Sequence, residues 1–339
     1  MRFRIILAAF AVAAAATWTA APPARAAAAE GSGPPAPVSC DRACMQGLVD
    51  QYLAALVKHD PSGLPLSRGV RFTENTIELK LGEGLWIGAS EAPTTFRIYA
   101  VDPGSSQVGF YGVMKERGQP LILALRLKVI NGRITEVEHV IARNIRGEAA
   151  LANLVTARPA FLADVPADQR TPRWEMINAA DNYFEAIEHA DGARAPFADD
   201  CERHENGGQT THNAKPVPWP VPLGSKAADD AMAYLGTLSC KDQFDTHIMD
   251  FITRLWPRRL TVVDEQKGLV LAFPMFNQEA NAEGRIHLKN VPGLESMGLG
   301  ATSSNLQAGE MFKIRGGRIH EIEAMGVNLP YGQKSGWGE

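Results

Sequence analysis

Several signatures that would announce a chemistry are missing from this chain. It contains no G-x-S-x-G elbow and no G-x-G-x-x-G fingerprint, which argues against a serine hydrolase and a nicotinamide enzyme. Its eight histidines show neither H-x-x-x-H nor H-E-x-x-H spacing, so His189, His212, His287 and His320 stay scattered and no metal is expected. Gly82 and Gly84, within Leu79–Trp86, lack the lysine and following helix of a phosphate cradle and read as a loop. Cysteine is scarce, four in all and none in C-x-x-C spacing, which disfavours a zinc knuckle. A basic stripe is absent too. The net charge is -4 with a pI of about 6.1 and the two signs interspersed, so nucleic acid is not an expected partner. Beyond the first residues, no run is long and apolar enough to cross a bilayer.

The start of the chain is more informative. Met1-Arg2-Phe3-Arg4 is a short basic region, an Ala-rich apolar run follows from Ile5, and Ala24-Arg25-Ala26 is a small-x-small cleavage pattern. Residues 1–26 therefore read as a signal peptide and 27–44 as a flexible leader of Ala, Gly, Ser and Pro. Export, periplasmic or secreted, with no membrane attachment after cleavage, is the expectation. In an oxidising compartment an even set of cysteines favours disulfides. Of the three possible connectivities, Cys201–Cys240 with Cys40–Cys44 is preferred, because the former would staple an insertion back to a strand.

With 339 residues, 45% of them hydrophobic, there is material for two cores, and the sequence repeats itself. Asp50, Tyr52, Ala55, Asp60, Glu74 and Asn75 recur 131 positions later as Asp181, Tyr183, Ala186, Asp191, Glu205 and Asn206. Val101-Asp102 recurs as Val263-Asp264 at a spacing of 162. Lys128, Gly132, Arg133, Ile134, Glu136 and Glu138 recur as Lys313, Gly317, Arg318, Ile319, Glu321 and Glu323, 185 positions apart. A spacing that grows in two steps places two insertions in the second copy, Gly207 to about Lys241 and Asn277 to about Ser304. The expected domains are residues 45–145 and 174–330, with a connector over 146–173 and a tail over 331–339.

Each copy reads as a helix followed by strands. In the first, Leu48, Tyr52, Ala55 and Leu56 form a helical stripe that Asp60-Pro61 terminates. Strands follow over 70–75, 96–101, 107–115, 121–129 and 134–142, the last two joined by an Asn131-Gly132 hairpin. In the second, Ile177, Ala180, Phe184 and Ile187 mark the core face of a helix with Tyr183 adjacent. A polar helix is expected over 227–234 and another over 244–255, with strands over 259–264, 269–276, 306–314 and 319–325. Helices leading and antiparallel strands following give an α+β class.

That element order resembles the SnoaL-like, nuclear-transport-factor-2-like cone, a curved antiparallel sheet wrapped on its helices around a pocket. Arg71-Phe72-Thr73-Glu74-Asn75 with Gly82-Glu83-Gly84-Leu85-Trp86 is similar to one uncharacterised family of exported tandem cones of bacteria and fungi. The same holds for Cys201-Glu202-Arg203-His204-Glu205-Asn206-Gly207 and Val262-Val263-Asp264-Glu265. The resemblance spans about Cys40 to Met325. It implies that the two cones pair through their sheets as an intrachain pseudo-dimer, so that the protein is a monomer or a homodimer of such units. It also implies cofactor-free chemistry, commonly that of an isomerase, cyclase, dehydratase, lyase or epoxide hydrolase.

A cone offers a deep, mostly apolar pocket, where desolvation turns a carboxylate or imidazole into a usable acid or base. The candidate cluster is His204, Glu205 and Asn206 with Tyr183, joined by Asp245 and His247. Strand alternation puts His204 and Asn206 on one face and Glu205 on the other. Here His204 and Asn206 are assigned to the pocket, with His204 oriented by Asp245 or Glu205 and moving a proton. Asn206 or Tyr183 would steady the developing negative charge. The alternative is that Arg203 and Glu205 form a fold-holding ion pair, mirrored by Arg71 and Glu74. Trp219, Tyr52, Glu74 and Asn75 are further candidates for binding, and Thr73, Arg126 and His139 complete the first copy's polar set. Glu136, Glu138, Glu321 and Glu323 read as a solvated sheet face. The expected activity is proton transfer on a small hydrophobic molecule, by a lyase or isomerase before a hydrolase. The other readings are a non-catalytic binder using the same pocket and a structural or assembly protein using the sheet face for a partner.

Overall fold

The computed structural model describes residues 40–93, 95–215, 226–298 and 302–338, the side chains of 227 and 228 excepted. The signal peptide, most of the leader, Trp219 and the prolines between 216 and 222 lie outside the described residues.

Helix α1 (Arg42–Lys58) starts where the Asp41 side chain accepts from the Cys44 N–H, and it ends at His59 in the left-handed region, just before Asp60-Pro61. Its buried face is Met45, Leu48, Val49, Tyr52, Leu53 and Leu56. Around it curls a sheet of β1 (Leu66–Glu74), β2 (Ile77–Leu79), β3 (Ala89–Glu91), β4 (Arg97–Asp102), β5 (Gln107–Glu116), β6 (Gln119–Ile130) and β7 (Arg133–Ala142). A single turn, α2 (Leu85–Gly88), stands where the sequence predicts loop. The order is β2-β1-β7-β6-β5-β3, with β4 on β5. The connector holds two short helices, α3 (Glu148–Asn153) and α4 (Pro159–Leu162).

The second half repeats this order. Helix α5 (Arg173–Glu188) buries Met176, Ala179, Ala180, Tyr183, Phe184, Ala186 and Ile187. Then come β8 (Phe197–Glu205), β9 (Gly208–Gln209), α6 (Lys226–Thr237), α7 (Cys240–Phe244), β10 (Ile252–Asp264) and β11 (Leu269–Gln278). A small hairpin, β12 (Arg285–His287) and β13 (Ser296–Gly298), precedes β14 (Ser304–Arg315) and β15 (Arg318–Pro330). The sheet order is β10-β11-β14-β15-β8-β9. Strand starts keep the sequence spacings: β1 and β8 lie 131 apart, β5 and β11 162, β6 and β14 185.

Two expectations need correction. The sheets are mixed, not antiparallel, because the first long strand of each half pairs parallel with the last, β1 with β7 and β8 with β15. The repeated asparagine closes that parallel pair. Asn75 and Asn206 both sit at φ 46°, and their backbone N–H groups donate to His139 and Ala324 oxygens. Their side-chain oxygens accept from the Ile141 and Gly326 N–H groups. Asparagine tolerates this left-handed conformation, so the Glu-Asn repeat is explained by the turn it makes. Second, residues 244–255 are not a helix. His247 at φ 63° breaks the turn after α7, and Ile252 to Leu255 pair with Phe276 to Gln278 as the start of β10.

The outer faces of the two sheets pack on each other through Ile98, Tyr111, Ile122, Val140, Val262, Leu271, Phe273 and Met311. Contact is tight at Gly109 and Gly309, where an added Cβ would lie 2.5 Å from Leu271 and 2.5 Å from Ala124. The polar contacts are reciprocal. Asp264 accepts from the Val101 N–H and from Arg42, while Asp102 accepts from the Val263 N–H and from Arg173. This packing also corrects the solvated-face reading, since Glu138 and Glu323 are buried between the sheets. Glu138 is held by Arg126 and Arg259, and Glu323 by Arg158 of the connector. The tail returns to the first sheet, where Trp337 sits 4.4 Å from the Arg71 guanidinium and 4.5 Å from that of Arg126, and donates to Thr73.

The cysteines pair as Cys40–Cys44 and Cys201–Cys240. The second bridge closes 39 residues, so serine at both positions is expected to lower stability by about 3–4 kcal/mol. Opening the first, whose partners are only four positions apart, is expected to change it far less. Urea unfolding under non-reducing conditions checks both, and equal losses would contradict the loop-length argument. No described helix is long and apolar enough to cross a membrane.

Candidate functional site

The two sheets have different interiors, and four matched positions account for much of the difference. In the first, Phe72, Phe110, Leu125 and His139 fill the space against α1, with Tyr52 and Trp86 beside them, all at most 1% exposed. The residues at the same repeat positions in the second are Arg203, Ala272, Glu310 and Ala324. Two alanines and two polar groups leave room. A cavity of about 1530 Å³ opens there, walled by Ile187, Ile252, Phe276, Leu306 and Ala308. Met232, Leu235 and Gly236 of α6 line it from the first insertion, Met297 and Gly298 of β13 from the second. Residues 141–144 and 146–150, from the end of β7 into α3, contribute to its rim.

The floor of the cavity is a compact charged cluster. Arg203 donates through Nε to the Tyr183 hydroxyl at 2.9 Å, through Nη1 to Thr210 at 3.1 Å and through Nη2 to Glu205 at 2.8 Å. Burial works against its charge, but Tyr183, Glu205 and Glu310 outweigh it and hold the guanidinium ionised. Burial pushes the Tyr183 phenol well up. Glu310 stands on β14 between Ala272 of β11 and Ala324 of β15. It is 1% exposed, and among the described residues its Oε2 has no hydrogen-bond partner. Burial, reinforced by Glu205 and opposed by Arg203 and a Tyr183 hydrogen bond, pushes its carboxyl up to about 7. Such a group takes and returns protons at neutral pH.

The candidate residues distribute differently from the expectation. Of the proposed catalytic set, Glu205 and Asn206 line the cavity, and Tyr183 reaches its floor through Arg203. The alternation of β8 runs in the opposite phase to the one assigned, so Arg203 and Glu205 face inward and His204 faces out. Its Nε2 lies 2.8 Å from Glu202 and its Nδ1 3.8 Å from Glu323, beside Arg158. His204 therefore belongs to the contact between sheet and connector. Asp245 does not orient it, because that carboxylate accepts from the Gly192 N–H and from Lys241. His247 pairs with Asp250 in the turn that ends α7. Asn206 is committed to its turn.

In the first half, Tyr52, His139 and Glu74 make a buried chain, with Tyr52 Oη 2.9 Å from His139 Nε2 and His139 Nδ1 3.7 Å from Glu74. Burial would raise Glu74, but His139, the Leu85 N–H and Arg143 outweigh it and hold the carboxyl low. Trp86 donates to the Tyr52 hydroxyl. Asn75 makes the turn already described. The Arg203–Glu205 ion pair exists, while its suggested mirror does not: Arg71 pairs with Glu78. Among the described residues no three His, Cys, Asp or Glu side chains converge as metal ligands do.

Glu310 was not among the sequence candidates, yet a signal was present. Leu306, Ala308, Phe312 and Ile314 set the inward phase of β14, and Glu310 falls in that phase opposite Leu125 of the first copy. A carboxylate in an apolar phase, at a position where the two copies differ, is the signal of a candidate site.

Residues 169–326 match the family described as Domain of unknown function (DUF8021). The matched segment contains Tyr183, Arg203, Glu205, Glu310 and Ala324, and thus the whole cavity floor. Comparison with curated proteins gave no match.

Proposed function

We propose that the chain is an exported tandem of two SnoaL-like, nuclear-transport-factor-2-like cones paired back to back as an intrachain pseudo-dimer. In this reading the second cone is a cofactor-independent enzyme that moves a proton on a small hydrophobic molecule, a lyase or isomerase before a hydrolase. The reciprocal Asp102 and Asp264 contacts support the pairing, and the two disulfides support an oxidising destination. One observation carries the chemistry: Glu310, buried, with a free oxygen at the floor of an apolar hollow and a carboxyl near neutrality. Its carboxylate takes a proton from carbon next to a substrate carbonyl. Tyr183 and Arg203 stabilise the enolate oxygen that forms, and the protonated Glu310 returns the proton at a second carbon. Atoms balance without a co-reactant.

The binder is the second reading, favoured because Arg203 is already satisfied by Glu205, Tyr183 and Thr210. Proton exchange separates the two. Incubated in D2O with β,γ-unsaturated ketones bearing aliphatic tails, the wild type is expected to catalyse exchange at the activated carbon, followed by NMR. Glu310→Gln is expected to lose about 10²–10⁴-fold of that rate, and His204→Ala to keep most of it. No exchange across the panel, or exchange indifferent to Glu310→Gln, leaves the binder.

A further inference from the structure

We infer that the ligand of this cavity is an uncharged lipid, a long aliphatic chain with one polar end, seated with that end at Glu310. The inference rests on the reading that the cavity is the functional site, and it narrows what enters. Size is the first argument. About 1530 Å³ exceeds the roughly 300–1,000 Å³ of ordinary small-molecule pockets, so a compact metabolite would leave most of the wall in contact with water. Shape plasticity is the second. Met232, Met249, Met297 and Met325 contribute to the lining, and three of them come from segments that close over the sheet. Unbranched thioethers adapt to a flexible chain and to chains of different outline.

The floor decides the charge. The ionisable groups facing Glu310 are Arg203 and Glu205 from β8 and Tyr183 from α5, with Tyr111 of β5 acting through the sheet. The flanking strands add none, because Ala272 and Ala324 are its neighbours there. Arg203 and Glu205 cancel at 2.8 Å, so the floor is neutral when Glu310 is protonated and negative when it is not. In neither state does it favour a ligand that brings in its own negative charge, which would add to that of the floor, whereas an enolate formed there only takes over the charge that Glu310 gives up. The cations at the rim do not alter this. Arg143 is tied to Glu116 and Glu74, while Arg146 and Lys215 are exposed where water and salt screen them. A hydroxyl, ester or ketone matches what remains, since the orphan Oε2 of Glu310 accepts from the first and, when protonated, donates to the others.

The test is displacement of the neutral fluorophore N-phenyl-1-naphthylamine from the full chain by 1-hexadecanol and by hexadecanoate, below their aggregation limits, at pH 6 and pH 8. The alcohol is expected to bind at both, and the carboxylate about 10-fold or more weaker at pH 8, with a smaller gap at pH 6. Glu310→Gln is expected to narrow the gap at pH 8, which a merely structural role would not do. Ala324→Phe, which refills the hollow, is expected to lose the fluorophore. Hexadecanoate binding as well as the alcohol at pH 8, or neither displacing the probe, overturns the inference. The two readings fail separately. Alcohol binding without any proton exchange removes the enzyme and keeps the ligand class, and exchange on short ketones without alcohol binding does the reverse.

Discussion

Glu310→Gln is expected to make the protein more stable at pH 8 by about 3 kcal/mol while leaving stability at pH 4 or below nearly unchanged. The sign follows from the burial. The carboxyl titrates near its ordinary 4.5 in the unfolded chain and near 7 in the folded one, so between those values the native state holds a proton that the unfolded state has released. Stability therefore falls as pH rises through that window, and the loss is complete above it. Glutamine keeps the shape and hydrogen-bonding atoms but never ionises, so its variant escapes the loss. Urea unfolding of both proteins at pH 4 and pH 8 measures the difference, and subtracting one from the other removes every group they share. Parallel pH dependence in the two would mean that Glu310 ionises freely, and the proposed base would lose its physical foundation. A residue retained at a cost in stability fits the trade that active sites make between folding and function.

The second large effect lies between the sheets. Asp264→Ala is expected to cost about 3–5 kcal/mol, because it strips a buried acceptor from Arg42 and from the Val101 and Lys267 N–H groups at once. Asp102→Ala is expected to cost somewhat less, since Arg173 meets it through one nitrogen whereas Arg42 grips Asp264 through two. Burial alone would raise Asp102, but bonds from Arg173, Ser105 and the Val263 N–H outweigh it and hold the carboxyl low. Its contribution is thus present above the ordinary carboxylate range and is lost only as pH falls through the depressed folded value. Denaturant unfolding of the two single variants and the double reads the coupling. Losses below about 1 kcal/mol would show that apolar packing alone joins the sheets.

Before any coordinates, the chain declares its own repetition. Spacings of 131, 162 and 185 are properties of a line of letters, and the strands start at those spacings because each copy makes the same turns. Helix stripes and hairpins are equally legible because they are local, and the compartment argues for disulfides, but which cysteines pair among three connectivities is decided by the fold. What alternation cannot say is which of two phases looks inward, and that ambiguity misplaced His204. The direction in which a sheet curls decides the phase, and that depends on contacts between strands far apart in sequence. The same limit applies to residues 252–255, whose apolar pattern suits a helix until Phe276–Gln278 offer backbone partners. Glu138 and Glu323 looked solvated for the same reason, since only the second sheet covers the first.

The sequence by itself determined the repeat spacings, the helix-then-strand order, an even cysteine set suited to disulfides and the presence of unlike polar residues at matched positions. Tertiary structure alone decided that Arg203 and Glu310 share a hollow, that His204 does not, and that Asp102 and Asp264 each secure the opposite half. Periodicity and turn chemistry act over a few residues and are written along the chain. The electrostatics of a site depends on distance through space and on exclusion of water, and both exist only once the sheets have closed.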